Sequence, residues 1–540
     1  MVVWVSHPEP LSINFAPVTT ECILAIDLGT SGPKVALVTI DGEVLASEVE
    51  STELFLSDGG GAEQDPDDWW RAIIAATRRI TDREVVPTEQ IIAVAVTSQW
   101  AGTVAVNREG HALGRAIIWL DSRGAKYVPE VAGGLVRIQG YGALKLESWL
   151  RKTGGVPSLA GKEPVAHILF LRHERPEIYR AAYKLMEPKD YLNLRLTGKF
   201  LATTDSITLH WVTNNRDIDN VHYDDQLLAQ TTIPRDKLPD LARAVDVIGT
   251  LTPRAAAELG LSESTKVVGG TPDVPAAAVG SGAVGDFEGH LYVGTSSWLT
   301  CHVPFKKTDL IHNMASLPSA LPGRYFIGNE QETAGVCMTW LRDNVFCRND
   351  ALDPGSPPDD ALDRFGALAS EAPPGSGKVI FTPWLYGEHT PVANPYLRAA
   401  FCNVSLRTTR AHLIRAVMEG VAFNTRWLMG GVESFIGREF NAIRFIGGGA
   451  KSDLWCQIFA DVLNRPIDRV ADPLSANVRG AAFVAAVGLG KLKVEDIASR
   501  VPIESRYRPN RNNRPIYDEL FGAFLEIRKN NEAMYNRLNG

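Results

Sequence analysis

Apolar and polar positions follow two periods along this chain. Short apolar runs of strand length end in glycine, threonine, serine or aspartate, and longer stretches repeat their apolar positions at helical spacing. The first run covers residues 22–26 and is closed by Asp27. Gly29, Thr30, Ser31 and Gly32 form a tight turn, after which an apolar strand resumes over residues 34–40. Asp41-Gly42 is a hairpin signal ahead of a third strand beginning at Glu43. Asp65, Pro66, Asp67 and Asp68 then open a helix that runs to about Asp82, with Trp70, Ile73, Ile74, Thr77 and Ile80 on one face. Both Trp69 and Trp70 are expected in the core.

Residues 91–97 form the next strand, ending in Ser98-Gln99-Trp100-Ala101-Gly102, and strand ends are where α/β sheets bind ligands. Strands at 103–107 and 116–119 follow, the second delivering Asp121, Ser122 and Arg123. Residues 133–188 are mostly helical in pattern, and a helix from Pro188 stops at Thr197-Gly198. A strand over 266–270 ends in Thr271-Pro272-Asp273 and passes directly into a helix over 274–279. Gly280 to Gly285 match G-x-G-x-x-G, but they follow a helix and enter a turn, which is the wrong context for a dinucleotide site.

Residues 290–301 repeat the opening form: apolar strand, Gly294-Thr295-Ser296 turn, apolar strand. Two such hairpins, one early in each half, point to an internal duplication. The second half continues with a strand at Tyr325–Gly328, a helix over 333–344, an irregular surface segment over 351–377 and a strand over 379–382. A long amphipathic helix is expected over 411–430. A strand over 442–446 leads to Gly447-Gly448-Gly449-Ala450, then come a helix at Asp453–Leu463, a strand at Ile467–Val470 and a small-residue helix over 480–489. The tail from Pro515 reads as a charged amphipathic helix with one face in solvent.

Composition narrows the classes. A chain of 540 residues is too long for one core. A net charge of −8 argues against a broad nucleic-acid surface. No apolar run reaches the length of about 18 residues that a transmembrane helix needs. Residues 1–20, with Pro8, Pro10 and Pro17, read as a loose leader and not a signal peptide. The six cysteines (22, 301, 337, 347, 402 and 456) fall at no metal-ligand spacing, so free thiols in a reducing cytoplasm are expected.

The chemistry lies at the strand ends. Gly/Thr/Ser turns expose backbone N–H groups and hydroxyls that suit phosphate oxygens. A strand-end aspartate such as Asp27 can hold a metal ion through oxygen. Taken alone, the same residues also suit an ordinary hairpin with a turn-stabilising aspartate. Asp273 alone suits a helix N-cap.

In series, these pieces resemble the FGGY family of carbohydrate kinases over roughly residues 21 to 500. Asp27-Leu28-Gly29-Thr30-Ser31 resembles the family's first phosphate loop, Gly294-Thr295-Ser296 its second, and Gly448-Gly449-Ala450 its adenosine loop. Ala334-Gly335 with Trp340-Leu341-Arg342-Asp343 resembles a nucleotide-lining helix. Glu63-Gln64-Asp65-Pro66, Trp119-x-Asp121-x-Arg123 and Pro188-Lys189-Asp190-Tyr191 resemble the xylulose and gluconate kinase branches.

The resemblance implies an α/β fold with two actin-like, ribonuclease-H-like ATPase domains flanking a catalytic cleft. Residues 21–280 would bind sugar and residues 281–505 nucleotide, with a C-terminal helix over 506–540. It implies transfer of the γ-phosphoryl group of ATP to a sugar or polyol hydroxyl, a reaction of positioning and charge neutralisation. Asp273 would be the base, and Asp27 with Asp273 would position Mg²⁺. Thr30, Ser31, Lys34, Gly294, Thr295, Gly335, Thr339, Gly448, Gly449 and Ala450 would serve the nucleotide, although a packed helix suits Gly335 and Thr339 almost as well.

Gln99, Trp100, Ala101, Trp119 and Asp273 would serve the sugar. Here the chain departs from the family: Gln99-Trp100-Ala101-Gly102 lacks the histidine that touches sugar in the xylulose kinase branch, and Thr271-Pro272 replaces the usual Gly-Asp before the helix. Trp100 either stacks on a sugar face or fills the vacated volume. The favoured acceptor is a xylulose-like ketose or related sugar. A non-catalytic sensor of the same fold is the alternative, and an actin-like filament protein is disfavoured by the sugar-kinase motifs. The family also implies a cytoplasmic protein, in which dimerisation is common.

Overall fold

The computed structural model describes residues 20–351 and 355–540. The expected leader therefore lies outside the described residues except for Thr20. The first half is built on a mixed sheet of β1 (Cys22–Gly29), β2 (Gly32–Thr39), β3 (Val44–Val49), β4 (Ile91–Ser98), β5 (Val247–Thr250) and β6 (Lys266–Pro272), in the order β5-β6-β4-β1-β2-β3. The second half is built on β7 (Gly289–Val293), β8 (Ser297–Thr300), β9 (Ile443–Ile446), β10 (Ile467–Val470) and β11 (Ile503–Tyr507), in the order β8-β7-β9-β10-β11.

The two sheets have one plan. Each starts with an antiparallel hairpin, β1–β2 or β7–β8. Each adds two parallel strands beside the hairpin's first strand, β4 and β6 or β9 and β10. Each closes on an antiparallel edge strand, β5 or β11. The helices correspond too: α1 (Pro66–Thr81), α2 (Pro188–Thr197) and α3 (Asp273–Gly280) in the first half match α5 (Arg410–Ile436), α6 (Asp453–Leu463) and α7 (Ala476–Gly488) in the second. The second half adds α4 (Val336–Leu341) and the terminal α8 (Arg514–Asn539). This is the duplication that the two hairpins signalled.

Burial on both faces explains why β1 is apolar throughout instead of alternating. Cys22, Leu24, Ile26 and Leu28 pack with Trp69, Trp70 and Ile73 of α1. Ile23 and Ala25 pack on the other face with Val478, Ala481, Ala482 and Ala485 of α7. α3 and α7 lie between the sheets, with Ala277, Val279, Phe483 and Val484 sharing a core with Ile446 and Val470. The two helices approach closely: a Cβ on Gly280 would collide with the Ala476 carbonyl, and a Cβ on Gly480 with the Ala276 carbonyl. α8 belongs to the second-half core through Tyr517, Leu520 and Phe524, beside Phe423 of α5.

The long connection between β4 and β6 spans to the second half. Leu169, Trp149 and Trp211 pack with Leu317 and Phe326 of the second half. Lys306 Nζ donates to the Leu150 carbonyl at 2.9 Å, and Tyr325 Oη to the Asn215 carbonyl at 2.8 Å.

Several expected spans change: the small-residue helix begins at Ala476 instead of Gly480, and residues 506–507 end β11, so the C-terminal helix starts only at Arg514. Residues 351–377 hold a helix at Ala361–Ala369 that buries Ala361, Phe365 and Ala369 at helical spacing, a short period set between Pro-, Asp- and Gly-bearing flanks that read as loop. α5 runs on to Ile436, because Gly430-Gly431 is not a stop: Gly431 lies against His312 and Met314, where a Cβ would be crowded. Among the described residues no helix is long and apolar enough to cross a membrane. All six cysteines are free, four of them buried.

Candidate active site

Strand register assembles the site. Asp27 of β1 lies beside Thr97 of β4, and Thr97 beside Thr271 of β6. Asp27, Gln99 and Asp273 therefore emerge together at the ends of three parallel strands. In the second half Tyr292 pairs with Ile446, so the Gly294 turn and the Gly447–Gly449 loop emerge together in the same way. The two edges meet across the cleft. Lys34 Nζ donates to the Leu474 carbonyl at 2.7 Å. The Asn477 side chain, at the start of α7, lies close enough to the Asp27 carboxyl to favour its ionised form.

Asp273 opens α3, and its Oδ1 accepts the Val274 N–H at 2.9 Å. Burial pushes its carboxyl up to about 8, with Asp27 and Glu330 adding like charge. Burial likewise raises Asp27 to about 6, against the opposing pull of Lys34. Glu330 reaches in from the second half, raised to about 7 by burial and by Glu332, while Lys162 and a hydrogen bond from Ser296 oppose the rise. Lys162 pairs with Glu332 at 3.5 Å.

A closed ring of neutral groups stands beside this carboxyl cluster. Thr30 Oγ1 donates to Gln99 Oε1 at 3.2 Å and accepts from Trp119 Nε1 at 3.0 Å. Gln99 Nε2 donates to Gln64 Oε1 at 2.7 Å, and Gln64 Nε2 to the Thr30 carbonyl at 2.8 Å. The structure thus joins Thr30, expected at the phosphates, to the residues expected at the sugar. Trp100 donates its indole N–H to the Ser206 carbonyl at 2.8 Å and tilts against Phe326, with ring centroids 6.1 Å apart. Ala101 follows with a left-handed φ of 60°.

In the second half Gly335 lies against the phosphate turn: its N–H donates to the Gly294 carbonyl at 2.7 Å, and a Cβ on it would collide with that oxygen. The Ala334 N–H donates to the Thr295 carbonyl at 2.9 Å. Gly448 faces open space, whereas Gly449 packs on Val293. Three expectations shift here. Ala450 is fully buried, so its methyl is in the core and not in the cleft. Thr339 donates its hydroxyl to the Val336 carbonyl of its own helix at 3.0 Å, which favours the packed-helix reading. Ser31 is exposed at the turn.

The other motif residues are scaffolding. Asp121 is buried, accepting from Ala62 N–H at 2.9 Å and pairing with Arg123, which also reaches Glu63. Lys189 and Asp190 pair with each other in the core. Sequence reasoning did not assign Gln64, Glu330 or Asn477 to the site. Only Gln64, inside a quoted motif, carried any signal.

The donor set at the cleft centre is oxygen-rich: two neighbouring carboxyls, Asp27 and Asp273, each raised by burial and near enough for Asp27 to raise Asp273. A hard divalent cation held partly through water suits such a pair. Among the described residues no group of three or more His, Cys, Asp or Glu is arranged to hold a metal by itself.

The comparisons agree with this geometry. The N-terminal domain of the FGGY family of carbohydrate kinases matches residues 22–280 and the C-terminal domain residues 290–489. A xylulose kinase of Staphylococcus epidermidis is 26% identical over 531 residues, covering 95% of this chain and 98% of that protein. A gluconokinase of Bacillus subtilis is 25% identical over 525 residues, covering 96% and 98%. The crystal structure of a gluconate kinase from Lactobacillus acidophilus superposes with a TM-score of 0.82 at 26% identity, covering 96% of this chain and all of that one. With both domains matched across most of its length and both actin-like halves in place, the chain belongs to the FGGY family of carbohydrate kinases, phosphotransferases that use ATP as the phosphate donor.

Proposed function

We propose that the chain phosphorylates a hydroxyl of an uncharged sugar, a xylulose-like ketose or polyol, with Asp273 as the general base. Residues 21–280 bind the acceptor and residues 281–505 the nucleotide. The observation that carries this reading is the place of Asp273: a strand end and helix start, beside Asp27 and within the field of Glu330 from the second half. In its ionised form the Asp273 carboxylate orients the acceptor hydroxyl and takes its proton as the phosphoryl group leaves ATP. A carboxyl raised to about 8 is a stronger proton acceptor than an ordinary one.

Gln99 and Trp119, tied together through Thr30, shape the acceptor side of the cleft, and Trp100 supplies an apolar wall. Gly294, Thr295 and Gly448 present backbone and hydroxyl groups to the phosphates and nucleoside. Asp27 and Asp273 would hold Mg²⁺, which when bound neutralises phosphate charge and draws both carboxyls toward the ionised form. Support for an uncharged acceptor comes from the local charges. Asp27, Asp273 and Glu330 are acidic, while Lys34 and Lys162 are already engaged with the Leu474 carbonyl and Glu332.

The test is ADP release with Mg-ATP across neutral ketoses, polyols and sugar acids, with Asp273→Ala as control. Turnover of a neutral acceptor is expected, falling by about 10³-fold or more in the variant while ATP binding persists. Chelation of Mg²⁺ is expected to stop turnover. Full activity in Asp273→Ala would remove Asp273 from the mechanism. A flat panel with intact ATP binding would favour the sensor alternative.

A further inference from the structure

The loop from Gln99 to Gly102 does not hold its shape by local preference. Ala101 sits at φ 60°, a conformation costly for any residue with a Cβ. The loop is tied at three points. Gln99 N–H donates to the Leu28 carbonyl at 2.8 Å, Trp100 Nε1 to the Ser206 carbonyl at 2.8 Å, and Gly102 N–H to Glu187 Oε2 at 2.9 Å. At the third tie the loop touches the start of α2: a Cβ on Gly102 would strike the Pro188 ring. The same segment holds the strand that delivers Asp273, because Lys189 Nζ and Asn193 Nδ2 donate to the Gly269 carbonyl at 2.9 and 2.7 Å. Residues 187–193 therefore grip both the acceptor loop and the base-bearing strand.

Glu187 is an unusual residue for that task. It is 1% exposed, and its Oε1 has no hydrogen-bond partner. His210 Nδ1 lies 3.8 Å away on a fully buried ring, whose contact with the Ile207 carbonyl falls outside hydrogen-bond geometry. A buried carboxyl with one free oxygen is expensive unless it has a function.

We propose that Glu187 is a positioning residue for acceptor recognition, fixing the Gln99–Gly102 loop against α2 at a set distance from Asp273. This rests on the reading of Gln99 and Trp100 as acceptor-site residues. Burial raises the Glu187 carboxyl well above its ordinary range, with Asp190 and Asp273 adding to the rise while Lys189 opposes it. Burial also drives His210 down to about 3, helped by His167. Both shifts favour the uncharged forms, and Glu187 serves Gly102 through Oε2 as the acceptor. A glutamine can take over that role, whereas an apolar side chain cannot.

The test compares Glu187→Gln with Glu187→Leu, and with Glu187→Met should the leucine variant not fold. The leucine or methionine variant is expected to raise the acceptor KM about tenfold, with the ATP KM unchanged and the Gly102 amide losing protection in hydrogen exchange. Glu187→Gln is expected to keep both the wild-type KM values and the wild-type pH profile. An unprotected Gly102 in the wild type, a glutamine variant as defective as the leucine one, or an equal rise in both KM values would overturn the proposal. Gln99→Ala separates the two readings. If it raises the acceptor KM while Glu187→Leu does not, the positioning role is wrong. If it leaves the acceptor KM unchanged, the acceptor-site reading fails and the positioning role with it.

Discussion

In the first half the hairpin β1–β2 and the parallel strands β4 and β6 end in the side chains proposed to act, Asp27, Gln99 and Asp273. In the second half the equivalent hairpin β7–β8 and strand β9 end in Gly294-Thr295-Ser296 and Gly447-Gly448-Gly449. Five strands of each frame correspond, β3 being extra to the first, but one edge presents carboxyls and amides while the other presents backbone. Backbone N–H groups recognise the phosphates common to any nucleotide. Side chains distinguish one acceptor from another and move its proton. On the proposed function, a duplicated frame would divide the reaction between an edge for the constant substrate and an edge for the variable one.

That division is open to test. The largest effect is expected at Gly335, where a methyl group would strike the Gly294 carbonyl. Gly335→Ala should raise the ATP KM by about tenfold or more and leave the acceptor KM unchanged in steady-state kinetics. Equal damage to both would mean that the edges are not separable. A smaller effect is expected from Glu330→Gln. Asp273 must be ionised to act, so kcat/KM should rise with pH through its pKa. Glu330 adds like charge to a carboxyl raised first by burial and next by Asp27. Removing that charge should move the acidic limb of the pH profile to lower pH by about half a unit. A shift to higher pH would place Glu330 outside the field of the base.

The smallest effect is on stability. Asp273 is raised from 3.8 to about 8 on folding, so the folded chain binds that proton more tightly than the unfolded one. Its contribution to stability is full below pH 3.8 and is lost as pH rises through about 8. Asp273→Asn should therefore melt a few degrees above the wild type in alkaline buffer and close to it in acid. Equal melting at both ends would mean that the carboxyl is better solvated than its surroundings imply.

Much of this arrangement was legible in the chain because local signals and tertiary demand coincide. β10 and α6 lie where their apolar periods place them, to the residue. Asp27, Asp273 and Gly294 were readable because a buried strand that ends in a polar or glycine-rich turn has one edge to present. Asn477 and Glu330 were not. Each is a polar residue with no local motif around it, carried to the cleft by packing between elements distant in the chain. Thr30 was assigned to the phosphates from its turn, but its hydroxyl was claimed by Gln99 and Trp119, a contact across 69 and 89 residues that no local pattern announces. The helix at Ala361–Ala369 is hidden for a different reason: its three buried anchors, Ala361, Phe365 and Ala369, keep a helical period for only nine residues between Pro-, Asp- and Gly-rich flanks that read as loop.

The contact between α3 and α7 is reciprocal. Gly280 lies under the Ala476 carbonyl, and Gly480 under the Ala276 carbonyl. Two helices joined in this way share a local two-fold axis, and a change in their crossing angle about it disturbs both contacts alike. Were the two halves to open and close about this crossing, the pivot would lie beside the proposed site. Asp273 begins α3 only about 5 Å along its axis from Ala276, at 1.5 Å of rise per residue. Swivelling about this point would widen the cleft mouth while barely displacing the base. The cleft would then admit and release substrates without losing the alignment of the group that acts on them.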